Sequence, residues 1–349
     1  MKNINNIKSK KMIKSILICT ENEFTASRLN QDENHNPKKI NNKTYIGAGK
    51  ERNSLFRAMD ELNNNYNGYI LAPGDCKTCN IEKDITSDLG GYMNPKKGTF
   101  SDNRMSLIKT SMAIAKDRSS YIEDLWTRMK NNLSNEDKDE QRINTNIYSG
   151  ASHPDVISIN LLLDAENISV HKYPKFDNDG NFTNILKYKS VDDTETKRSC
   201  ELFLKASKMM NSYFACQSIA AQQPPKKIFI CFSPVSEYNK YFEMSDMERS
   251  NFEREIQNIG GHIIIGDNNT NYSVNDAIND AIVYLNSNEL MNSDLEIKSQ
   301  SDAIRETGYD KSIIETNEVK KENKKASKNK TSKNTEMSKE YFDSAVKNN

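Results

Sequence analysis

The sequence predicts an α/β fold with a doubly wound, mainly parallel sheet and helices on both faces, similar to an α/β-hydrolase. Short apolar runs alternate with longer amphipathic runs along most of the chain, which is typical of strand–helix repeats. Several short runs are apolar without interruption, as in strands that are covered on both faces. The 349 residues, of which 35% are hydrophobic, suffice for one large core or two small ones.

Six segments have the length and apolar character of strands. Each is bounded by polar or turn-forming residues, which separates it from the helical stretches on either side. The predicted strands are Met12–Thr20, Gly68–Leu71, Ile143–Tyr148, Ile168–Tyr173, Lys227–Phe232 and His262–Gly266.

The segments between these strands show helical periodicity or helix-capping patterns. Ser245 with Glu248 forms a capping-box pattern, and Ser273 opens another amphipathic run. The segment 155–165 is apolar nearly all round, which predicts a short buried helix. The remaining predicted helices begin near Asn53, Met105, Ile122 and Thr194, and the last of these ends before Pro224.

The domain boundary follows from a loss of periodicity near residue 290. We expect one α/β-hydrolase-like domain over 1–290, with a mobile Asn-rich loop near 30–42. Residues 291–349 form a weakly structured to disordered tail rich in Lys and Asn, in which Lys320–Lys333 holds seven lysines against one acid.

Charge and hydropathy limit the compartment and the partners. Lys plus Arg and Asp plus Glu each number 49, so no basic excess indicates nucleic acid, and no nucleic acid partner is expected. The sequence contains no run of about 18 apolar residues, so no transmembrane segment is expected. The apolar stretch Ile16–Cys19 is too short for a signal peptide. The cysteines are scattered along the chain, which indicates reduced thiols rather than disulfides. These features predict synthesis in the cytoplasm.

The most suggestive motif for chemistry is Gly150-Ala151-Ser152, which follows a predicted strand and precedes a predicted helix. A serine on such a strand-to-helix turn has the layout of a nucleophile elbow, in which the helix N-terminus favours a developing anion. The alternative is an ordinary turn in which Ser152 caps the helix.

This motif resembles the lipase-like α/β-hydrolases that include secretion-system phospholipase effectors and related bacterial effectors. The resemblance implies that Ser152 is the nucleophile and that a Gly-rich loop with Gly74 precedes the elbow. It also implies a secreted, virulence-associated protein that leaves the cytoplasm through a dedicated system without a cleaved signal peptide. His153 and Pro154 stand where that family keeps Arg-Gly.

A serine hydrolase also requires an acid and a histidine, in the chain order Ser, Asp, His. Asp177 and Asp179 follow the next predicted strand, and Asp177 is the preferred acid. Of the four histidines, His262 follows the acid and is the candidate base. His153 adjoins Ser152 and offers its backbone N–H to an oxyanion.

A second candidate is Cys76-Lys77-Thr78-Cys79, which follows the predicted strand Gly68–Leu71. Such a pair suits a thiol oxidoreductase when a helix follows, although the next residues make a poor helix. A zinc site would require a second cysteine pair, which the sequence lacks. No metal or cofactor is expected.

Three functions remain open at this point. The favoured one is a lapsed or divergent lipase or esterase, a pseudoenzyme that acts by binding a protein partner. The first alternative is an active serine hydrolase with a lipid or ester substrate, so enzymatic activity stays uncertain. The second alternative is a thiol oxidoreductase that uses Cys76 and Cys79.

Overall fold

The computed structural model describes most of the chain, in ten stretches. The described residues are 12–24, 29, 38–63, 79–94, 102–118, 122–129, 142–149, 155–177, 181–214 and 224–306.

These residues contain strands of very different length. The strands are β1 Met12–Ile13, β2 Ser15–Phe24, β3 Lys39–Ile40, β4 Lys43–Ile46, β5 Tyr92–Asn94, β6 Asp102–Arg104, β7 Ile108–Thr110, β8 Ala113–Ile114, β9 Ile122–Met129, β10 Arg142–Ser149, β11 Asp155–Asp164, β12 Val170–Phe176, β13 Phe182–Lys189, β14 Lys227–Ser233, β15 His262–Asp267 and β16 Glu289–Leu290.

The helices of the same part of the chain fall between these strands. They are α1 Ala48–Asn63, α2 Ile85–Gly90, α3 Asp193–Met209, α4 Asp246–Asn258, α5 Val274–Ser287 and α6 Gln300–Glu306. Short 3₁₀ turns cover Ala165–Asn167, Met210–Tyr213 and Tyr241–Glu243.

The central element is a five-stranded sheet with the order β15-β14-β2-β11-β7. Every pairing in it is antiparallel, with Ile18 opposite Leu161 on one side and Ile230 on the other. Along the chain, β2, α1, β7, β11, α3 and β14 form a βαββαβ unit whose strands lie in the order fourth, first, third, second. This is the ferredoxin-like arrangement, extended by β15 at one edge.

Alternating residues of the central strands point to opposite faces of the sheet. On one face, Ile16 and Ile18 of β2 and Ile228 and Ile230 of β14 pack in one buried cluster with apolar residues of α1, α3 and α5. This cluster is the main core of the described chain, and it holds both crossover helices against the sheet.

On the opposite face, Leu17 and Cys19 of β2 and Phe229 and Cys231 of β14 form a second buried cluster. Residues 238–244 and α4 cover this cluster, with Tyr241, Phe242, Phe252 and Ile256 packed against the strands. The sheet is therefore covered on both faces.

The chain divides into two compact units, which are described separately. The first unit comprises 1–92, 105–170 and 191–295 and holds the central sheet. The second comprises 93–104, 171–190 and 296–349, and most of the hairpin of β12 and β13 belongs to it. The expected domain boundary at 290/291 stays a prediction. The loop near 30–42 and the disordered tail also stay predictions, since residues 30–37 and 307–349 lie outside the described chain.

The predicted fold class is wrong, because the central sheet is antiparallel rather than doubly wound and parallel. Uninterrupted apolar strands indicate that both faces of a sheet are buried, and they do not report strand direction. Here both faces of an antiparallel sheet are buried. The largest local error is 155–165, which is the strand β11 rather than a helix. Its side chains are buried on both faces of the sheet, so the run shows no alternation. Strands also replace the predicted helices that begin near Met105 and Ile122.

Several local predictions are confirmed. The segments of β2, β14 and β15 are strands, and Ile143–Tyr148 lies within β10. Both predicted N-caps are present, because Ser245 with Glu248 and Ser273 with Asp276 form complete capping boxes at α4 and α5. No helix in the described part of the chain combines the length and apolar character that a membrane crossing requires.

Candidate functional site

The face of the sheet that carries the second cluster is closed to ligands by aromatic packing. Tyr241 stacks on Phe229 with ring centroids 3.9 Å apart, and Phe252 lies 6.0 Å from Phe229. All three side chains are buried. A nucleobase or another planar ligand therefore has no aromatic surface to stack on there.

Hydrogen bonds fasten the covering segment to the strands below it. Ser15 donates to the carbonyl of Val235 at 2.6 Å, and Asn160 donates to Glu243 at 3.3 Å. The Tyr238 hydroxyl donates to the carbonyl of Asn160 at 3.1 Å. The cover is thus an integral part of the fold.

A buried carboxyl anchors the turn between β7 and β8. Glu51, at the start of α1, accepts a hydrogen bond from the Thr110 hydroxyl and another from the Ala113 backbone N–H at 3.1 Å. Tyr238 contacts the Ser111 side chain at 2.7 Å from the other side. Burial raises the pKa of Glu51 from 4.5 to about 8, against the opposing effect of these hydrogen bonds. This network is structural, since its polar atoms face each other.

The hairpin of β12 and β13 has a different character, because most of its side chains are exposed. Lys172, Lys175 and Lys187 are exposed cations. Phe182 and Ile185 are 59% and 60% exposed although both are large and apolar. Exposed apolar side chains beside lysines, on a two-stranded ribbon, are the combination that binds a polyanion with flat bases.

Side-chain hydrogen bonds hold the root of the hairpin. His171 is buried, and its Nε2 lies 2.5 Å from the hydroxyl of Ser190, which follows β13. Tyr173 stacks on the His171 ring at 5.7 Å and places its hydroxyl 3.4 Å from Nδ1. Burial, together with the nearby charge of Arg104, lowers the pKa of His171 to about 3. The imidazole is therefore neutral at physiological pH.

Backbone contacts fix the end of β13 and the turn between the strands. Lys189 donates its N–H to the carbonyl of Glu296 at 2.9 Å, and Lys298 donates to the carbonyl of Lys189 at 2.8 Å. At the turn, Asn181 donates its N–H to Asp177 Oδ1 at 2.8 Å. Both ends of the ribbon are thus defined while the middle stays exposed.

The residues predicted for a catalytic triad fall in unrelated local environments or outside the described chain. Ser152, His153, Gly74 and Cys76 lie outside the described residues. Asp177 stabilises the hairpin turn, whereas His262 begins β15 and stacks on Tyr284 with centroids 4.0 Å apart.

Cys79, the second cysteine of the candidate redox pair, is half-buried and has a positive φ of 46°. Among the described residues, no group of three His, Cys, Asp or Glu side chains is arranged to hold a metal ion.

Sequence reasoning missed the hairpin lysines and Phe182. Buried and exposed side chains do not alternate along 182–189, because both faces of the ribbon are exposed up to Ile185. The usable signal was the interleaving of Lys172, Tyr173 and Lys175 on one side of a turn with Phe182 and Lys187 on the other.

Comparison with known proteins gives a family match over most of the chain. The family described as CRISPR-associated negative auto-regulator DevR/Csa2 matches residues 7–250. No curated protein matches the chain.

Two solved structures have chains whose backbone is similar to the backbone of this chain. One, a CRISPR RNA-guided surveillance complex in a pre-nicking state, has 10% identity and a TM-score of 0.46 over 78% of this chain and 100% of that chain. The other, a CRISPR RNA-guided surveillance complex, has 14% identity and a TM-score of 0.45 over 77% of this chain and 98% of that chain.

The family match overturns the resemblance drawn from the serine motif. Residues 7–250 include Ser152 and Asp177, so the matched family covers the segment that suggested a lipase-like hydrolase. The predicted effector, pseudoenzyme and virulence roles are wrong for the same reason. The expectation of partners without nucleic acid is also wrong, because the matched family is CRISPR-associated.

Proposed function

Because the chain belongs to the CRISPR-associated DevR/Csa2 family, we propose that it is a subunit of a CRISPR ribonucleoprotein and that its β12–β13 hairpin binds single-stranded RNA. The observation that carries this proposal is the exposed pairing of lysines with Phe182 and Ile185 on that hairpin. We expect it to act in the cytoplasm, where it is made, since the family match gives no support to export.

The lysines supply affinity without sequence preference. Lys172 and Lys175 are three residues apart on one strand, a separation of about 10 Å, and they point to opposite faces of the exposed ribbon. They therefore reach different phosphates of a strand that wraps around it. Lys187 lies on the partner strand and adds a third contact. Each phosphate that a lysine neutralises releases condensed counterions, which is the main driving force for binding RNA of any sequence.

The apolar side chains favour a single strand over a duplex. Phe182 offers a ring on which an unpaired base can stack, and Ile185 offers further apolar contact. A duplex keeps its bases stacked on each other and would leave these side chains in water. The βαββαβ topology also occurs in RNA-recognition domains, but there the open sheet face binds the bases. Here that face is covered, so the hairpin takes over the role.

Duplex DNA is the second candidate ligand, because the family description includes negative auto-regulation. A two-stranded β-ribbon with lysines also fits the major groove of DNA. The exposed Phe182 is the feature that decides for RNA, since a groove reader would gain little from an aromatic ring in that position.

The test is the affinity of the full chain for a fluorescent single-stranded RNA of about 30 nucleotides and for a DNA duplex of the same length. The variant K172Q/K175Q/K187Q removes the three hairpin charges, and K197Q/K205Q/K208Q removes three charges from α3 as a matched control. We expect a loss of roughly 100-fold for the hairpin variant at about 0.1 M salt, and a loss of less than about threefold for the control.

Equal losses in the two variants would show that net charge, rather than the hairpin, determines binding. Tighter binding to duplex DNA than to single-stranded RNA would favour the auto-regulator function and contradict the proposal.

A further inference from the structure

A groove runs along the outer edge of the central sheet, between β15 and α5. Its volume is about 570 Å³, and its lining includes His262, Ile263, Ile265, Tyr272, Asp280 and Tyr284. Among the described strands, β15 pairs only with β14, so its other side is a sheet edge. An edge strand presents a row of backbone N–H and C=O groups that can pair with another chain.

The lining of the groove is aromatic and apolar. Tyr284 stacks on His262, Ile265 is 41% exposed, and Val283 is 65% exposed. Tyr272 donates its hydroxyl to Asp280 at 2.5 Å, which fixes a ring and a carboxylate side by side. A carboxylate next to aromatic faces suits the cationic side chain of a lysine or arginine.

The segment that forms the groove carries acidic and no basic side chains, although Lys227 of β14 lies 4.0 Å from Asp267 at the end of β15. No Lys or Arg occurs between Arg254 and Lys298, although the whole chain contains 49 of them. Among its described acids, Asp280 on α5 lies in the lining of the groove, whereas Asp276 forms the capping box with Ser273. The Asp280 carboxylate therefore favours a basic side chain over a phosphate at this position.

The groove is pre-formed, because α5 packs tightly on β15. A Cβ atom at Gly266 would lie 2.7 Å from the Ser273 carbonyl oxygen and 2.8 Å from Ala277 Cβ. Ser273 accepts the N-cap hydrogen bond from the Asp276 N–H, and the Val274 N–H donates to Asn268 at 2.9 Å, so the start of the helix is fixed. A partner segment would thus find the edge and the aromatic wall already in position.

We propose that this groove binds an extended peptide segment of a protein partner, which adds as a strand to β15. The segment alternates apolar side chains, which contact Ile265, with lysine or arginine, which pairs with Asp280 on the α5 side of the sheet. Strand addition supplies affinity through the backbone, and the groove supplies the choice of side chains. This inference is independent of the proposed RNA function.

The experiment uses the full chain and a fluorescent 12-residue peptide that alternates valine with lysine. Three comparisons define the site: a peptide with glutamate in place of lysine, the lysine peptide N-methylated at alternate residues, and the protein variant D280N. We expect no binding of the glutamate peptide and at least about tenfold weaker binding of the N-methylated peptide, which lacks the strand-pairing N–H groups. The D280N variant should weaken binding about threefold.

Asp60→Asn, on the exposed surface of α1, is the matched control and should leave binding unchanged. An equal effect of Asp60→Asn, or full affinity of the N-methylated peptide, would overturn the proposal, since binding would then depend on charge alone. Displacement of the peptide by single-stranded RNA would identify nucleic acid as the occupant. Dimerisation that Ile265→Lys abolishes would identify a second copy of the chain, and either result would also overturn the proposal.

Discussion

The ring of Tyr241 stacks on the ring of Phe229 with centroids 3.9 Å apart and planes 15° apart. Phe229 belongs to the sheet, whereas Tyr241 belongs to the segment that crosses it. This contact closes the face that is open in sheet-based RNA-recognition domains. The closed face is the reason that the exposed hairpin, rather than the sheet, is the candidate interface.

Tyr241→Ala should lower the free energy of unfolding by about 3 kcal/mol, because the ring is buried against Phe229 and its loss leaves a cavity. RNA affinity should stay within about twofold, since the sheet face does not bind bases in this account. Chemical denaturation and RNA titration of the same variant measure both quantities. A variant of near-normal stability with several-fold tighter RNA binding would show instead that the sheet face is a site.

Glu51 should make the protein less stable as pH rises. Burial raises its folded-state pKa from 4.5 to about 8. The contribution of Glu51 to the free energy of unfolding is therefore full below about pH 4.5 and is lost as the pH rises to about 8. Between pH 5.5 and 8 the loss should be about 3 kcal/mol. Urea denaturation at several pH values gives the slope of the free energy of unfolding against pH. Glu51→Gln should remove this slope, whereas Glu255→Gln, at an exposed position, should keep it. An unchanged slope in Glu51→Gln would assign the pH dependence to another group.

His171 should have the opposite pH dependence. Burial and the nearby Arg104 lower its folded-state pKa to about 3, so the stability that it contributes is present above about 6.5 and is lost as pH falls toward 3. From pH 7 to pH 5 the loss should be about 2 kcal/mol, and His171→Gln should remove it. Denaturation of the two proteins at both pH values measures the difference. Equal losses in the two proteins would contradict the prediction.

Phe182→Ala should weaken single-stranded RNA binding about tenfold, because one stacked base contributes about 1 to 3 kcal/mol. Stability should change by less than about 0.5 kcal/mol, since the side chain is mostly in water. Met247→Ala, which truncates a side chain that is 73% exposed on α4, is the control and should change neither quantity. Equal RNA affinities of the two variants would remove Phe182 from the interface.

Features that depend only on residues close together in the chain were predicted correctly from the sequence. The capping box at Ser245 is contained in four residues and forms as expected, and Ser273 begins α5 where the amphipathic run predicted a helix. The strands β2, β14 and β15 are short apolar runs next to polar turns. These features depend on neighbours in the chain, so a single sequence suffices to find them.

The pairing of the strands depends on contacts that are distant in sequence. Ile18 pairs with Leu161 and with Ile230, and nothing in the local pattern of β2 distinguishes these antiparallel neighbours from parallel ones. The apolar run of β11 has the composition of a buried helix as well as that of a central strand. The hairpin of Lys172 and Phe182 carries no burial pattern, because exposure on both faces removes the period that reveals a strand.

The most direct test of the RNA-binding account is the salt dependence of affinity. The slope of log K against log salt concentration counts the phosphates that a protein neutralises, at about 0.7 per phosphate for a single strand. Substitution of Lys172, Lys175 and Lys187 by glutamine should therefore reduce the slope for single-stranded RNA by about 2. The same slope in the native chain and in the K172Q/K175Q/K187Q variant would contradict the assignment of the β12–β13 hairpin as the RNA interface.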